Sequence, residues 1–121
     1  MNLPAEYPGE TKSFQDKRTG RAITQLTTRP DCQSIHFYFT ENSFIRGEDA
    51  IEFMSDRDTP GIFNLFRMSL SDGGIRRLTA FTAPDMLSHP TKSPDGSKLL
   101  FWLNDDVILL DVPSGRQTIL Y

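Results

Sequence analysis

Along this chain apolar and polar residues alternate in short runs, broken at roughly every five to ten residues by Gly, Pro, Asn or Asp. The pattern is clearest near the end. In Ser93-Pro94-Asp95-Gly96, Pro94 presets φ and Gly96 supplies a φ > 0 position, which predicts a tight turn. The apolar run Leu99-Leu100-Phe101-Trp102-Leu103 follows as a strand. Asn104-Asp105, a strand over 107–112, the turn Pro113-Ser114-Gly115 and a strand over 117–121 complete an antiparallel meander. No stretch carries the 3.6-residue period of an amphipathic helix.

The meander recurs. Asn64-Leu65-Phe66-Arg67-Met68-Ser69-Leu70 lies 42 positions before Asp106-Val107-Ile108-Leu109-Leu110-Asp111-Val112, and Leu78-Thr79 precedes Leu120-Tyr121 by the same offset. Gly20-Arg21-Ala22-Ile23-Thr24-Gln25-Leu26-Thr27 resembles Gly74-Ile75-Arg76-Arg77-Leu78-Thr79. Four strands repeating at about 40–50 residues are the signature of a β-propeller blade. The sequence therefore predicts an all-β fold: a partial β-propeller of about two four-stranded antiparallel blades plus an orphan N-terminal strand pair.

The expected boundaries are a flexible arm over 1–12, then an incomplete propeller over 13–121. Within it, 13–27 hold the orphan closing strands, 35–79 the first blade and 88–121 the second. In the first blade an inner strand over 35–44 leads through Arg46-Gly47-Glu48-Asp49 to a strand over 50–55. Asp56-Arg57-Asp58-Thr59-Pro60-Gly61 reads as a loop before strands over 62–70 and 75–79. The expected core is Phe37, Phe39, Phe44, Ile51, Phe53, Leu65, Phe66, Leu70, Leu78, Leu99, Phe101, Trp102, Ile108, Leu110 and Ile119. Propellers use about four to eight blades, so further C-terminal blades are expected to complete the ring. On its own the chain would expose apolar faces and self-associate.

The 121 residues are 37% hydrophobic and 24% charged, with a net charge of -3. That is a globular composition without the basic footprint of a nucleic-acid binder or an anionic-membrane binder. The single cysteine, Cys32, rules out an internal disulfide. The first ten residues lack a basic start and apolar run, and no segment is apolar enough to span a membrane, so a cytoplasmic location is expected.

Candidate chemistry is sparse. His36 and His89 fall at or near inner strands, which line a propeller's central channel, but two isolated histidines are not a metal-spacing signature. Asp56-Arg57-Asp58 is either an anion- or sugar-binding group through Arg57 or a salt-bridged turn. The sequence contains no phosphate loop, catalytic-triad order or Cys/His cluster. No catalytic residue and no metal ligand is assigned.

Phe14-Gln15-Asp16, Thr19-Gly20, Ile23-Thr24-Gln25-Leu26-Thr27, His36-Phe37-Tyr38-Phe39, Ser43-Phe44, Phe53-Met54-Ser55-Asp56-Arg57-Asp58, Asn64-Leu65-Phe66, Leu78-Thr79 and Ser93-Pro94-Asp95-Gly96 occur in the order found in oligogalacturonate lyases. The resemblance covers 14–121, although its later motifs are shared by Tol-type binding propellers and by the propellers of prolyl-oligopeptidase-like peptidases. It implies a seven-bladed propeller that cleaves pectin-derived oligogalacturonates by β-elimination. In that family a histidine base removes the proton beside the uronate carboxylate, and manganese held by His and Gln residues neutralises that carboxylate. Those groups lie in later blades and none maps here, so this chain alone is expected to bind manganese weakly and to be inactive. The resemblance leaves His36, Tyr38, Asn42 and Arg57 as candidate substrate-facing wall. The alternatives are a non-enzymatic Tol-type platform and a peptidase propeller.

Overall fold

The computed structural model describes residues 6–38 and 41–121. Among them there are strands and no helix: β1 (Glu6–Tyr7), β2 (Lys12–Gln15), β3 (Ala22–Gln25), β4 (Ser34–His36), β5 (Ala50–Thr59), β6 (Ile62–Ser69), β7 (Ile75–Arg77), β8 (Leu87–Lys92), β9 (Lys98–Leu103), β10 (Asp106–Asp111) and β11 (Gln117–Ile119). They form three antiparallel sheets, ordered β1-β7-β6-β5-β4, β11-β10-β9-β8 and β2-β3. Two blades and an N-terminal pair are thus present as the repeat predicts.

The first blade has a fifth strand. The stretch read as a loose arm docks along it: Glu6 and Tyr7 pair with Arg76 and Ile75. Gly9 lies so close to the Asp72–Gly73 turn that a Cβ there would meet the Asp72 carbonyl oxygen at 2.4 Å. Tyr7 packs edge-on against Phe66, and Thr28 bonds the backbone and the side chain of Glu10. Residues 1–5 lie outside the described residues.

Two further expectations change. The inner strand of the first blade stops at His36, because the Phe37 N–H turns to the Ser43 hydroxyl (2.9 Å) and Glu41 N–H closes a turn on Tyr38 O (2.7 Å). Among the described residues a single bridge, Phe44 to Ile51, resumes the ladder. Asp56-Arg57-Asp58 is not a loop but the continuation of β5, which runs to Thr59 and reverses at Pro60-Gly61.

Each blade is apolar on both faces, as stacked sheets require. On one face of the first blade Ile51, Phe53, Phe66, Met68 and Ile75 cluster with Tyr7 and Leu26. On the other, Phe37, Leu65 and Met54 join Leu87, Leu99, Phe101, Ile108, Leu110 and Val112, which welds the blades together. Burying each large side chain stabilises by about 1.5–3 kcal/mol. Of the expected core, Phe44 (52%), Trp102 (42%) and Ile119 (66%) are exposed instead, and Phe39 lies outside the described residues. Trp102 lies on the face of β9 turned away from the first blade, and Ile119 is on a terminal edge strand.

Candidate functional site

His36 ends β4, where its backbone pairs with Phe53 and its ring is left exposed. Its Nδ1 lies 2.5 Å from the Phe37 carbonyl oxygen. A carbonyl only accepts, so Nδ1 carries the proton, and the Nε2 of a neutral ring is left as an acceptor. His36 stands on the rim between two concavities. One, of about 310 Å³, brings it together with Tyr38, Ser88, His89 and Pro90 over an apolar floor that includes Met54. The other, of about 550 Å³, is lined by His36, Glu41, Asn42, Phe44 and the apolar face of the first blade.

His89 enters the first of these through a distorted backbone. The β8–β9 ladder slips between Ser88 and Thr91, and His89 takes φ 52°. That left-handed conformation costs a non-glycine residue on the order of 1 kcal/mol, and such outliers concentrate at functional sites. The buried Pro90 pins the segment beyond it, and Thr91 Oγ1 donates to Glu41 Oε2 at 2.7 Å, tying the two blades across the rim. The sequence places His89 at or near an inner strand without naming it in the wall, and the bulge that turns it there is not legible in strand periodicity.

Asn42 is exposed, and its Oδ1 caps the Phe44 N–H at 3.1 Å. With Glu41 it also borders a smaller recess of about 250 Å³ that Arg46 and Lys92 share. Those two cations were absent from the sequence-based candidates. Their only signal is that each sits just ahead of a blade's turn.

Arg57 is a correction: it does not face the channel wall. Its side chain is 0% exposed, and its guanidinium fork grips both carboxylate oxygens of Glu10 at 3.1 and 3.3 Å. The rings of Tyr7, Phe53 and Phe66 stand 5.5–5.9 Å from its Cζ. This is a cation–π box closed by an ion pair, and it pins the N-terminal stretch to the blade. The neighbouring carboxyls are also structural. Burial alone would raise Asp56, but the N–H groups of Gly61 (2.9 Å) and Gln33 (2.6 Å) outweigh it and hold the carboxyl below its ordinary value. For Asp58 burial wins and raises the carboxyl, in spite of Arg77 at 3.5 Å.

Among the described residues no three His, Cys, Asp or Glu side chains converge where they could hold a metal ion. Two imidazoles, with no third His, Cys, Asp or Glu converging on them among the described residues, do not make up a manganese site. The residues present do not fit that ion.

No protein-family model matches the sequence, and no curated protein does either. Solved structures do match. A manganese complex of oligogalacturonate lyase is 24% identical and aligns over 100% of this chain with a TM-score of 0.84. The oligogalacturonate lyase of Vibrio parahaemolyticus is 20% identical and aligns over 96%, with a TM-score of 0.82. The fold is that of oligogalacturonate lyase. The chain spans 31% and 30% of the length of these two neighbours, and at such identities the likeness establishes architecture alone.

Proposed function

We propose that this chain is the N-terminal portion of an oligogalacturonate lyase-like propeller, which cleaves pectin-derived oligogalacturonates by β-elimination. In this reading the chain contributes substrate-binding wall and not the reacting centre. The observation that carries it is the match of the whole chain to a manganese-bound oligogalacturonate lyase at a TM-score of 0.84. The concavity at the inner strands supports it. His36 offers a fixed Nε2 to a sugar hydroxyl. Tyr38 offers an apolar ring face with a polar tip, and Arg46 and Lys92 border the adjoining recess, as an acidic oligosaccharide requires. Manganese, which the first of these neighbours holds, would stabilise negative charge when bound; no residue of this chain is assigned to it.

The test uses the full-length gene product, with digalacturonate and trigalacturonate, added Mn²⁺, and absorbance of the unsaturated uronate product. Product formation is expected from the full-length protein and none from the 121-residue chain. His36→Ala in the full-length protein should raise KM several-fold with a smaller change in kcat, the mark of a group that binds ground state and transition state alike. Absence of product from the full-length protein on both substrates rejects the lyase. Product with an unchanged KM in His36→Ala leaves the lyase standing and removes His36 from the wall.

A further inference from the structure

Glu52 is the least explained side chain in the molecule. It sits in the middle of β5 with 0% of its surface exposed, and neither carboxylate oxygen has a hydrogen-bond partner among the described residues. Position along the strand fixes where it points. Ile51 and Phe53 belong to the cluster turned away from the second blade, whereas Met54 packs into the cluster shared with that blade. Glu52 alternates with the former and shares a face with Met54, so it lies in the seam between the blades.

The groups facing it come from every element around that seam. Arg67 on β6 is its cross-strand partner but is ion-paired to Glu48. Arg76 on β7 follows in the same row. From the second blade, Lys92 ends β8 and Asp95 stands in the turn before β9. The same turn docks on the first blade beside Glu52. Arg46 N–H donates to Pro94 O at 3.2 Å, and Gly96 sits so close to Ile45 that a Cβ would meet its side chain at 2.9 Å.

We propose that Glu52 is a protonated carboxyl that works as a pH-sensitive latch between the two blades. Neutral, it is tolerated buried in the seam; ionised, it draws water in and loosens the docking of the 93–97 turn on the first blade. A buried charge without a partner is among the most costly arrangements a fold can hold, and the usual relief is to keep the proton. Burial pushes the carboxyl up from 4.5 to about 7, with Lys92 and Arg76 pulling it back and Asp95 adding to the rise. The folded chain therefore holds a proton that the unfolded chain releases near 4.5. Stability from this group is complete at and below that value, declines as pH rises through about 7, and is flat above. This inference does not depend on the lyase reading.

The experiment compares the chain with Glu52→Gln, which keeps shape and removes the charge. Both proteins are followed from about pH 5 to about pH 8.5 by urea denaturation and by amide exchange at Arg46 and Gly96, corrected for intrinsic rates. Every other ionisable group, the buried Asp58 included, is common to both proteins and cancels. In the unmodified chain, protection at Arg46 is expected to fall about tenfold or more across this range, and the urea midpoint with it. In Glu52→Gln both should stay level. Parallel profiles in the two proteins overturn the latch. Should the variant not fold, ¹³C titration of the Glu52 carboxyl in the unmodified chain decides: a midpoint near 7 upholds the proposal and one near 4.5 ends it.

Discussion

The β5–β6 hairpin of the first blade and the β9–β10 hairpin of the second occupy equivalent places, yet they are stabilised differently. Phe53 faces Phe66 across one as Phe101 faces Ile108 across the other. In all, β5 runs ten residues and β9 only six, both reversing through two-residue turns. The added length carries Ser55, Asp56, Arg57 and Asp58, all polar and all at most slightly exposed. The second hairpin has no such extension and rests on an apolar cluster, with its charges on the surface. A blade can thus add a buried, largely ion-paired polar extension to its apolar packing, or rest on apolar packing alone. The two differ in what happens when one member is removed, because an abandoned buried charge costs more than a lost surface pair.

The largest consequence concerns Arg57. Arg57→Ala should lower unfolding free energy by about 3–5 kcal/mol, since it empties the aromatic box and strands the mostly buried Glu10. In the second hairpin the ion pair Lys98–Asp111, at 3.2 Å and largely solvated, should yield under about 1 kcal/mol for Lys98→Ala. Urea denaturation of the two variants checks the contrast. Equal losses would mean that the polar extension adds nothing beyond a surface pair.

A smaller contrast of the same kind lies on β6 and β10, at the 42-residue repeat. Asn64 is buried; its Oδ1 accepts from Thr79 Oγ1 (2.8 Å) and Phe81 N–H (2.6 Å), and its Nδ2 donates to Phe81 O (3.1 Å). Its counterpart Asp106 is exposed. Asn64→Ala is expected to cost about 1–3 kcal/mol through the backbone groups it orphans, and Asp106→Ala to fall within about 0.5 kcal/mol of zero. Comparable urea midpoints for the two variants would show that the connection over 79–81 has no need of its side-chain anchor.

These contrasts explain what could be read from the sequence. Turn chemistry at Pro94-Asp95-Gly96, Asn104-Asp105 and Pro113-Ser114-Gly115 marked the second blade strand by strand, because its information is local. The first blade hides its polar core. Three charges in a row read as a solvated loop unless Glu10, Gln33 and Arg77, all distant in sequence, are known to converge on them. Glu52 misleads for a related reason: a strand with Ile51 and Phe53 on one face looks half-solvated, but a stacked blade buries both faces. Of the candidate wall, His36, Tyr38 and Asn42 do line the concavities near the inner strands. The distortion that carries His89 there depends on a ladder slip, which no periodicity records.

The glycine turns sharpen the comparison further. Gly47 (φ 79°) and Gly96 (φ 70°) both use the left-handed region, but nothing lies within 4 Å of a Cβ at Gly47, whereas one at Gly96 would strike Ile45. Gly47→Ala should therefore cost about 1 kcal/mol from the backbone alone. Gly96→Ala should cost about 2 kcal/mol as the turn is lifted off the neighbouring blade. Equal losses in urea denaturation would mean that Ile45 moves aside freely and the turn is not a rigid dock.

The smallest expected effect separates the same two turns by acid. Asp95 Oδ1 accepts from the Ser97 N–H (3.0 Å), the Ser93 hydroxyl (2.8 Å) and the Ser97 hydroxyl (2.8 Å). The Ser97 N–H, followed by the two hydroxyls, holds this exposed carboxyl at about 2, below its ordinary 3.8. A carboxyl lowered in the folded state contributes stability above 3.8 and loses it as the pH falls toward 2. The equivalent turn of the first blade has no such clamp: its Glu48 is ion-paired to Arg67. Amide protection at Ser97 should therefore decline between about pH 4 and pH 2 while that at Ile45, bonded to Ala50 O, holds. Asp95→Asn should abolish the decline, because the amide keeps an acceptor oxygen that does not titrate. If protection at Ile45 falls in step with that at Ser97, acid is opening the whole chain and the clamp has no separate existence.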